Sequence, residues 1–178
     1  MTTSTAGRGG TRARLGLGLA AVGRPAYITL GRDTDLPAKR SEGALEARAV
    51  EVLDAARELG IEYFDVARSY GLAEHFLQSW LQSTGARPFV ASKWGYRYTG
   101  GWRCDTDTHE VKDHSLPAFE EQWAETGRLL APWLRLYQVH SLTSDSPLWR
   151  DRALLKALAR VRDLGWKQTQ MTRPLAPT

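Results

Sequence analysis

The sequence alternates four times between a short apolar run and a longer segment with helical periodicity, and this alternation limits the folds open to the chain. The predicted strands and helices, in pairs along the chain, are 15–22 and 41–59, 61–66 and 74–81, 88–93 and 115–130, and 134–139 and 147–164. A repeated strand–helix order favours a parallel sheet with right-handed crossovers. We therefore predict an α/β fold.

Outside these elements the chain is polar. Residues 1–14 have almost nothing to bury, and we predict a disordered tail. Residues 31–40 and 94–114 are predicted to be loops. The alternation predicts a fifth strand after residue 165. Residues 166–178 are instead polar, contain two prolines near their end and lack the alternation of apolar and polar residues that marks a strand, so we predict an irregular tail. The pattern suggests a truncated or frame-shifted chain, because 178 residues fall short of the ~250 of an eight-stranded barrel.

The composition is typical of a globular domain and argues against a nucleic-acid-binding protein. Hydrophobic residues make up 42% and charged residues 25%, which is ordinary for a globular domain. The net charge of +4 is spread among acidic residues apart from Arg8, Arg12 and Arg14, so we expect no nucleic-acid partner. The single Cys104 excludes an internal disulfide and is typical of a reducing compartment, so we predict a cytoplasmic protein.

The amino-terminal region has one alternative interpretation. A basic stretch at 8–14 followed by the apolar run 15–22 has the order of a signal peptide. The run is interrupted by glycines and closed by Arg24 and Pro25, so a first strand is the preferred interpretation. No stretch approaches the ~20 apolar residues that cross a bilayer, so we expect no membrane association.

Three of the predicted strands end in a residue that handles protons. These residues are Asp65, Lys93 and His140, and Tyr70 follows five residues after Asp65. Parallel strands of one sheet carry their carboxyl ends to the same rim, where barrel enzymes place their catalytic groups. We therefore expect these four side chains to lie close together.

Each of the four residue types suits one role in proton transfer at a carbonyl oxygen. Tyr70 would be the acid, although tyrosine is a weak one with a pKa near 10. Lys93 would stabilise the phenolate by charge, and Asp65 would keep Lys93 charged. His140 would orient the substrate carbonyl. Taken singly, each residue could instead cap a turn, pack or face solvent; their shared rim favours the catalytic interpretation.

Three segments around these residues resemble the aldo/keto reductase family. They are residues 60–74 with Asp65, Tyr70-Gly71 and the helix-opening Glu74; Ser92-Lys93-Trp94-Gly95; and Tyr137-Gln138-Val139-His140-Ser141. The resemblance runs from about residue 15 to residue 165. It implies a (β/α)₈ TIM-type barrel, incomplete here with about four βα units, and NAD(P)H-dependent interconversion of carbonyls and alcohols. The implied catalytic tetrad is Asp65, Tyr70, Lys93 and His140.

The resemblance also implies a cofactor and a substrate. NADPH or NADH would contact Gly18 and Asp65, and the substrate would be a small carbonyl compound or a sugar, since the closest likeness is to the sugar-dehydrogenase branch. The family's phosphate and adenine contacts come chiefly from the second half of the barrel, which this sequence does not continue into. A half barrel leaves open strand edges, so we expect self-association or poor solubility. The alternative is a truncated, inactive remnant or interaction module.

Other patterns suggest further sites. Residues 16–21 match the G-x-G-x-x-G/A dinucleotide fingerprint, but an Arg-rich tail stands where its strand should be. Cys104, His109 and His114 match no standard zinc spacing, so we expect no metal. The aromatic residues after Lys93, chiefly Trp94 and Tyr96, either wall a substrate pocket or pack the loop onto the sheet.

Overall fold

The computed structural model describes residues 15–26 and 40–163. Along the chain its elements are β1 (Leu17–Gly18), α1 (Glu42–Glu58), β2 (Tyr63–Asp65), α2 (Ala73–Thr84), β3 (Phe89–Trp94), β4 (Tyr96–Tyr98), β5 (Glu110–Lys112), α3 (Leu116–Leu130), β6 (Leu134–Val139), a 3₁₀ turn (Pro147–Arg150) and α4 (Arg152–Asp163). Strands β1, β2, β3 and β6 form one sheet in that order, with parallel pairing throughout. The predicted α/β fold with a parallel sheet and four helices is confirmed.

Several sequence-based predictions fall outside the described residues. These are the disordered tail at 1–14, most of the loop at 31–40, the last residue of the fourth helix and the irregular tail at 166–178. They stay predictions. Within the described residues, no helix has the length and apolar character that crossing a membrane requires.

Both ends of α1 and the start of α3 lie close to their predicted positions because local residues define them. Ser41 Oγ accepts a hydrogen bond from Ala44 N at 3.4 Å, which caps α1, and Gly60 ends it with φ +76°. Ser115 Oγ likewise accepts from Ala118 N at 3.3 Å at the start of α3. These contacts satisfy backbone groups that each helix terminus leaves without partners.

The helices cover one face of the sheet. Phe64 of β2 meets Trp80 of α2 edge to face with ring centroids 5.5 Å apart, and Trp94 of β3 meets Phe119 of α3 at 5.0 Å. All four rings are buried. Alternate strand residues point to the opposite face, where Tyr63 stacks on the partly exposed Phe89.

The first strand and the fourth helix differ from their predicted extents. β1 pairs only over Leu17–Gly18, because Leu19 O accepts from Val22 N and Gly23 N and the chain turns there. The predicted helix at 147–164 is divided: the 3₁₀ turn ends at Arg150, and Asp151 then caps α4 by accepting from Leu154 N at 3.0 Å.

The predicted loop at 94–114 contains an antiparallel hairpin, formed by β4 and β5. Tyr96 pairs with Lys112 and Tyr98 with Glu110. Polar residues separate two very short strands, so no alternating apolar pattern marks them in the sequence. The hairpin lies next to the carboxyl rim of the sheet, since β3 ends at Trp94 and β4 begins two residues later.

Two glycines allow the turns after β1 and β2 to touch. Leu72 N donates to Gly23 O at 2.8 Å, and Gly71 has φ +61°. A Cβ on Gly71 would lie 2.5 Å from Gly23 O, and one on Gly23 would overlap the carbonyl oxygen of Tyr70. Tyr70 is therefore held in a turn that tolerates no added side chain at either glycine.

We predict that Gly71→Ala destabilises the chain by more than about 1 kcal/mol, because it combines a left-handed backbone with a steric overlap. The matched control is Gly43→Ala in α1, where an added Cβ meets nothing within 4 Å. We expect that variant to be stabilised by about 0.5 kcal/mol. Urea unfolding measures both, and equal effects of the two changes would contradict the packing described for Gly71.

Candidate active site

The sheet brings Asp65, Lys93 and His140 to one rim. Asp65 is the last residue of β2, and Lys93 is the penultimate residue of β3. His140 directly follows β6, and its N–H donates to Trp94 O at 2.8 Å. The structure thus brings these three residues together at the carboxyl ends of the strands, as the order of elements predicts.

Lys93 is the centre of this group. Its Nζ forms an ion pair with Asp65 Oδ2, donates to Val66 O at 3.1 Å and lies 3.4 Å from the Tyr70 hydroxyl. The side chains of Lys93 and Asp65 are only 16% and 23% exposed. A charge so far removed from water needs close partners. Lys93 has three: the Asp65 carboxylate, the carbonyl oxygen of Val66 and the Tyr70 hydroxyl.

The turn that carries Tyr70 is fixed by β3. Val66 N donates to Ala91 O at 2.9 Å, and Arg68 N donates to Lys93 O at 3.0 Å. These backbone bonds extend the β2–β3 pairing past the end of β2. Tyr70 therefore approaches Lys93 through a turn that the sheet itself holds.

His140 lies against Tyr70. The two rings meet edge to face with centroids 5.6 Å apart, and His140 Nδ1 is 3.5 Å from Ser69 Oγ. Burial, followed by the positive charge of Lys93, lowers the pKa of His140 from its ordinary 6.5 to about 4. The imidazole is therefore neutral at pH 7 and has one N–H to donate.

Gly18 lies on the same rim. It pairs in register with Asp65, and a Cβ at this position would meet nothing within 4 Å. The space beside Gly18 is therefore open, in contrast to Gly16, where a Cβ would strike the Tyr63 ring. The two residues predicted to contact a cofactor, Gly18 and Asp65, are neighbours at the end of the sheet.

The two aromatic residues predicted to wall a substrate pocket have different positions. The Trp94 ring is fully buried between Phe119 and His114 in the helix-facing core. The packing alternative accounts for this position of Trp94, and its predicted contact with substrate stays a prediction. Tyr96 is half-buried with its ring 4.9 Å from that of His140, so it remains a candidate for substrate contact.

A buried polar network behind the rim was missed in the sequence. Glu74, only 1% exposed, accepts from Ser92 Oγ at 2.6 Å, Thr126 Oγ1 at 2.9 Å and Arg68 Nη1 at 2.6 Å. Arg68 also forms an ion pair with Glu125. The helix-opening position of Glu74 was visible in the sequence, but nothing in the spacing indicated partners 18 and 52 residues away.

The residues considered for a metal site and for a dinucleotide fingerprint lie in surroundings that suit neither. His114 is buried, with Nδ1 2.8 Å from Ser146 Oγ and Nε2 3.0 Å from His140 O. Across residues 15–26 and 40–163, no three His, Cys, Asp or Glu side chains form a group that could hold a metal ion. The chain turns after β1 without opening a helix, so the glycines near Gly18 lack the setting of a dinucleotide fingerprint.

Solved structures with a similar fold are aldo-keto reductases. A protein of Pseudomonas aeruginosa described as an aldo-keto reductase superposes with a TM-score of 0.61 at 23% identity, over 86% of this chain and 52% of that one. The glycerol dehydrogenase of Gluconobacter oxydans gives 0.59 at 21% identity, over 86% and 42%. The chain thus spans about half the length of these structures. At such identities the likeness shows the fold, which corresponds to an incomplete TIM barrel.

No curated protein matches the sequence significantly. The model of the aldo/keto reductase family, however, matches residues 15–165. That span includes every element of the described sheet and all four residues of the rim. The chain therefore belongs to the aldo/keto reductase family, a family of oxidoreductases.

Proposed function

We propose that the chain carries the proton-transfer half of an aldo/keto reductase site, which reduces an aldehyde or ketone with NAD(P)H or oxidises an alcohol or aldose in reverse. The observation that carries this proposal is the position of the Lys93 ammonium between the Asp65 carboxylate and the Tyr70 hydroxyl. Membership of the family supports it.

In this proposal Tyr70 is the general acid for reduction and the general base for oxidation. A phenol gives up its proton at neutral pH only if the phenolate is stabilised. Lys93 Nζ, 3.4 Å from the hydroxyl, supplies positive charge and a donor. Asp65 keeps Lys93 charged in a half-buried position, and Val66 O fixes its direction.

His140 orients the substrate in this proposal. Its imidazole is neutral at pH 7, so its contribution is a hydrogen bond rather than a proton for the reaction. A carbonyl oxygen placed between the Tyr70 hydroxyl and the His140 ring would accept from both. Tyr96, whose ring is 4.9 Å from that of His140, would form the side of the pocket for a small carbonyl compound or sugar.

The open surface of the rim beside Gly18 suits the nicotinamide ring of the cofactor. Gly18 offers open space beside Asp65, where a larger side chain would occupy the surface. Gly18 and Asp65 would hold this end of the cofactor, which when bound supplies the hydride for carbonyl reduction. Tyr70 would then deliver the proton to the carbonyl oxygen, with Lys93 stabilising the charge left on the phenol.

The first test is Tyr70→Phe, which removes the hydroxyl and keeps the ring. We expect aldehyde reduction, followed as NADPH consumption, to fall by about 100-fold or more, while NADPH binding, followed by tryptophan fluorescence, is retained. The matched control is Tyr63→Phe, because Tyr63 pairs with Phe89 at the start of β2 and β3 and stacks on its ring, whereas Lys93 lies near the end of β3.

Two outcomes of this experiment would contradict the proposal. One is unchanged turnover in Tyr70→Phe, which would exclude this hydroxyl as the acid. The other is a folded chain that binds no NADPH and reduces no aldehyde, which would favour the inactive remnant or interaction module instead.

A further prediction concerns the protonation of His140 and its effect on stability as the pH changes. Because its pKa is about 4 in the folded chain and 6.5 ordinarily, the unfolded state binds the extra proton between these values. The stability that His140 contributes is thus complete above pH 6.5 and is lost as the pH falls toward 4. An NMR titration of the imidazole, assigned with His140→Gln, should show no protonation from pH 8 to pH 6. Titration centred near 6.5 would contradict the buried, neutral imidazole.

A further inference from the structure

A buried arginine from the turn after β1 lies against the Tyr70 turn. Arg24 is 1% exposed, and its Nη1 donates to Ser69 O at 3.0 Å and to Glu110 Oε2 at 2.9 Å. Its guanidinium carbon lies 5.9 Å from the centroid of the Tyr70 ring. Neither the four-residue rim nor the proposed reaction uses this side chain.

The bond to Ser69 O restrains the peptide that links Ser69 to Tyr70. On the other side of Tyr70, Gly23 O accepts from Leu72 N at 2.8 Å. Two successive residues of the β1 turn therefore hold the chain immediately before and shortly after Tyr70. With its backbone held on both sides, the Tyr70 ring contacts Lys93 and His140 on the rim and has the Arg24 guanidinium 5.9 Å from its centroid.

Glu110 connects this contact to the hairpin. It is the first residue of β5, pairs with Tyr98 of β4 and is 21% exposed. A buried guanidinium needs a counter-charge, and Glu110 supplies one from an element 86 residues away. The hairpin is thereby fastened to the β1 turn beside Tyr70.

We propose that Arg24 is a positioning residue for Tyr70, held in place by Glu110, so that the β4–β5 hairpin acts as a strap that fixes the direction of the Tyr70 hydroxyl toward Lys93. The importance of that direction rests on the proposed function of Tyr70 as the acid. The positioning itself is testable without turnover, so the two proposals can fail separately.

The test is ¹⁹F NMR of the full chain labelled with 3-fluorotyrosine, near neutral pH. The chain has six tyrosines, and Tyr70→Phe identifies the Tyr70 resonance by its loss. In Arg24→Gln we expect that resonance to shift and to broaden or split, because the ring no longer has one fixed environment. Arg24→Lys keeps the charge but not the forked donor geometry, and we expect an intermediate effect.

The matched control is Arg97→Gln, in the same hairpin. Arg97 forms ion pairs with Asp113 and Glu121, away from Tyr70, so its loss should leave the Tyr70 resonance in place. Glu110→Gln removes the counter-charge of Arg24 without altering a core residue. If Arg24→Gln does not fold, the Tyr70 resonance of Glu110→Gln tests the proposal instead. A Tyr70 resonance that moves in Glu110→Gln and not in Arg97→Gln supports the proposal. One that stays at its original position and width in Glu110→Gln, and in Arg24→Gln where that variant folds, overturns it.

Discussion

The ion pair between Lys93 and Asp65 is the interaction on which the rest of the rim depends. It joins the ends of two neighbouring strands, and the same ammonium reaches Val66 O and the Tyr70 hydroxyl. Losing either charge would leave the other partly buried without its counter-charge, and breaking a buried pair in this way is strongly destabilising. The pair thus holds the local structure, and it is the basis of the proton transfer proposed for Tyr70.

Around this pair, the turns are held by close backbone contacts and by buried hydrogen bonds. The contact between Gly23 and Gly71 brings the first two turns together, and the buried Glu74 network fastens the second turn to α3. Buried polar groups with several partners rigidify what they connect. Such support restrains the separation of Lys93 and Tyr70, which the proposed acid catalysis would require.

Features that local sequence determines were predictable. Ser41 and Ser115 cap their helices through the next few residues, and β6 begins and ends where its apolar run does. The convergence of Asp65, Lys93 and His140 was also predictable, because parallel strands bring their carboxyl ends to one edge. The periodicity of apolar residues predicts where helices and strands lie, and the order of these elements predicts which residues meet at the rim.

Features that depend on distant partners were not predictable. The hairpin depends on pairing between Tyr98 and Glu110 across a polar segment. The burial of Trp94 depends on Phe119 of α3, whose ring meets it edge to face. Arg24 looked like a residue closing an apolar run. Its hydrogen-bond partners are Ser69 and Glu110, which only the folded chain brings to it.

The central claim is that Lys93 and Tyr70 act as one proton-transfer unit. A double-mutant cycle on the rate of NADPH-dependent aldehyde reduction, using Tyr70→Phe, Lys93→Met and the combined variant, tests it most directly. If the two residues act together, the combined variant should be no slower than the slower single variant. Losses that multiply would show that the two side chains act independently and would contradict the claim, as would a folded chain of natural sequence that reduces no aldehyde.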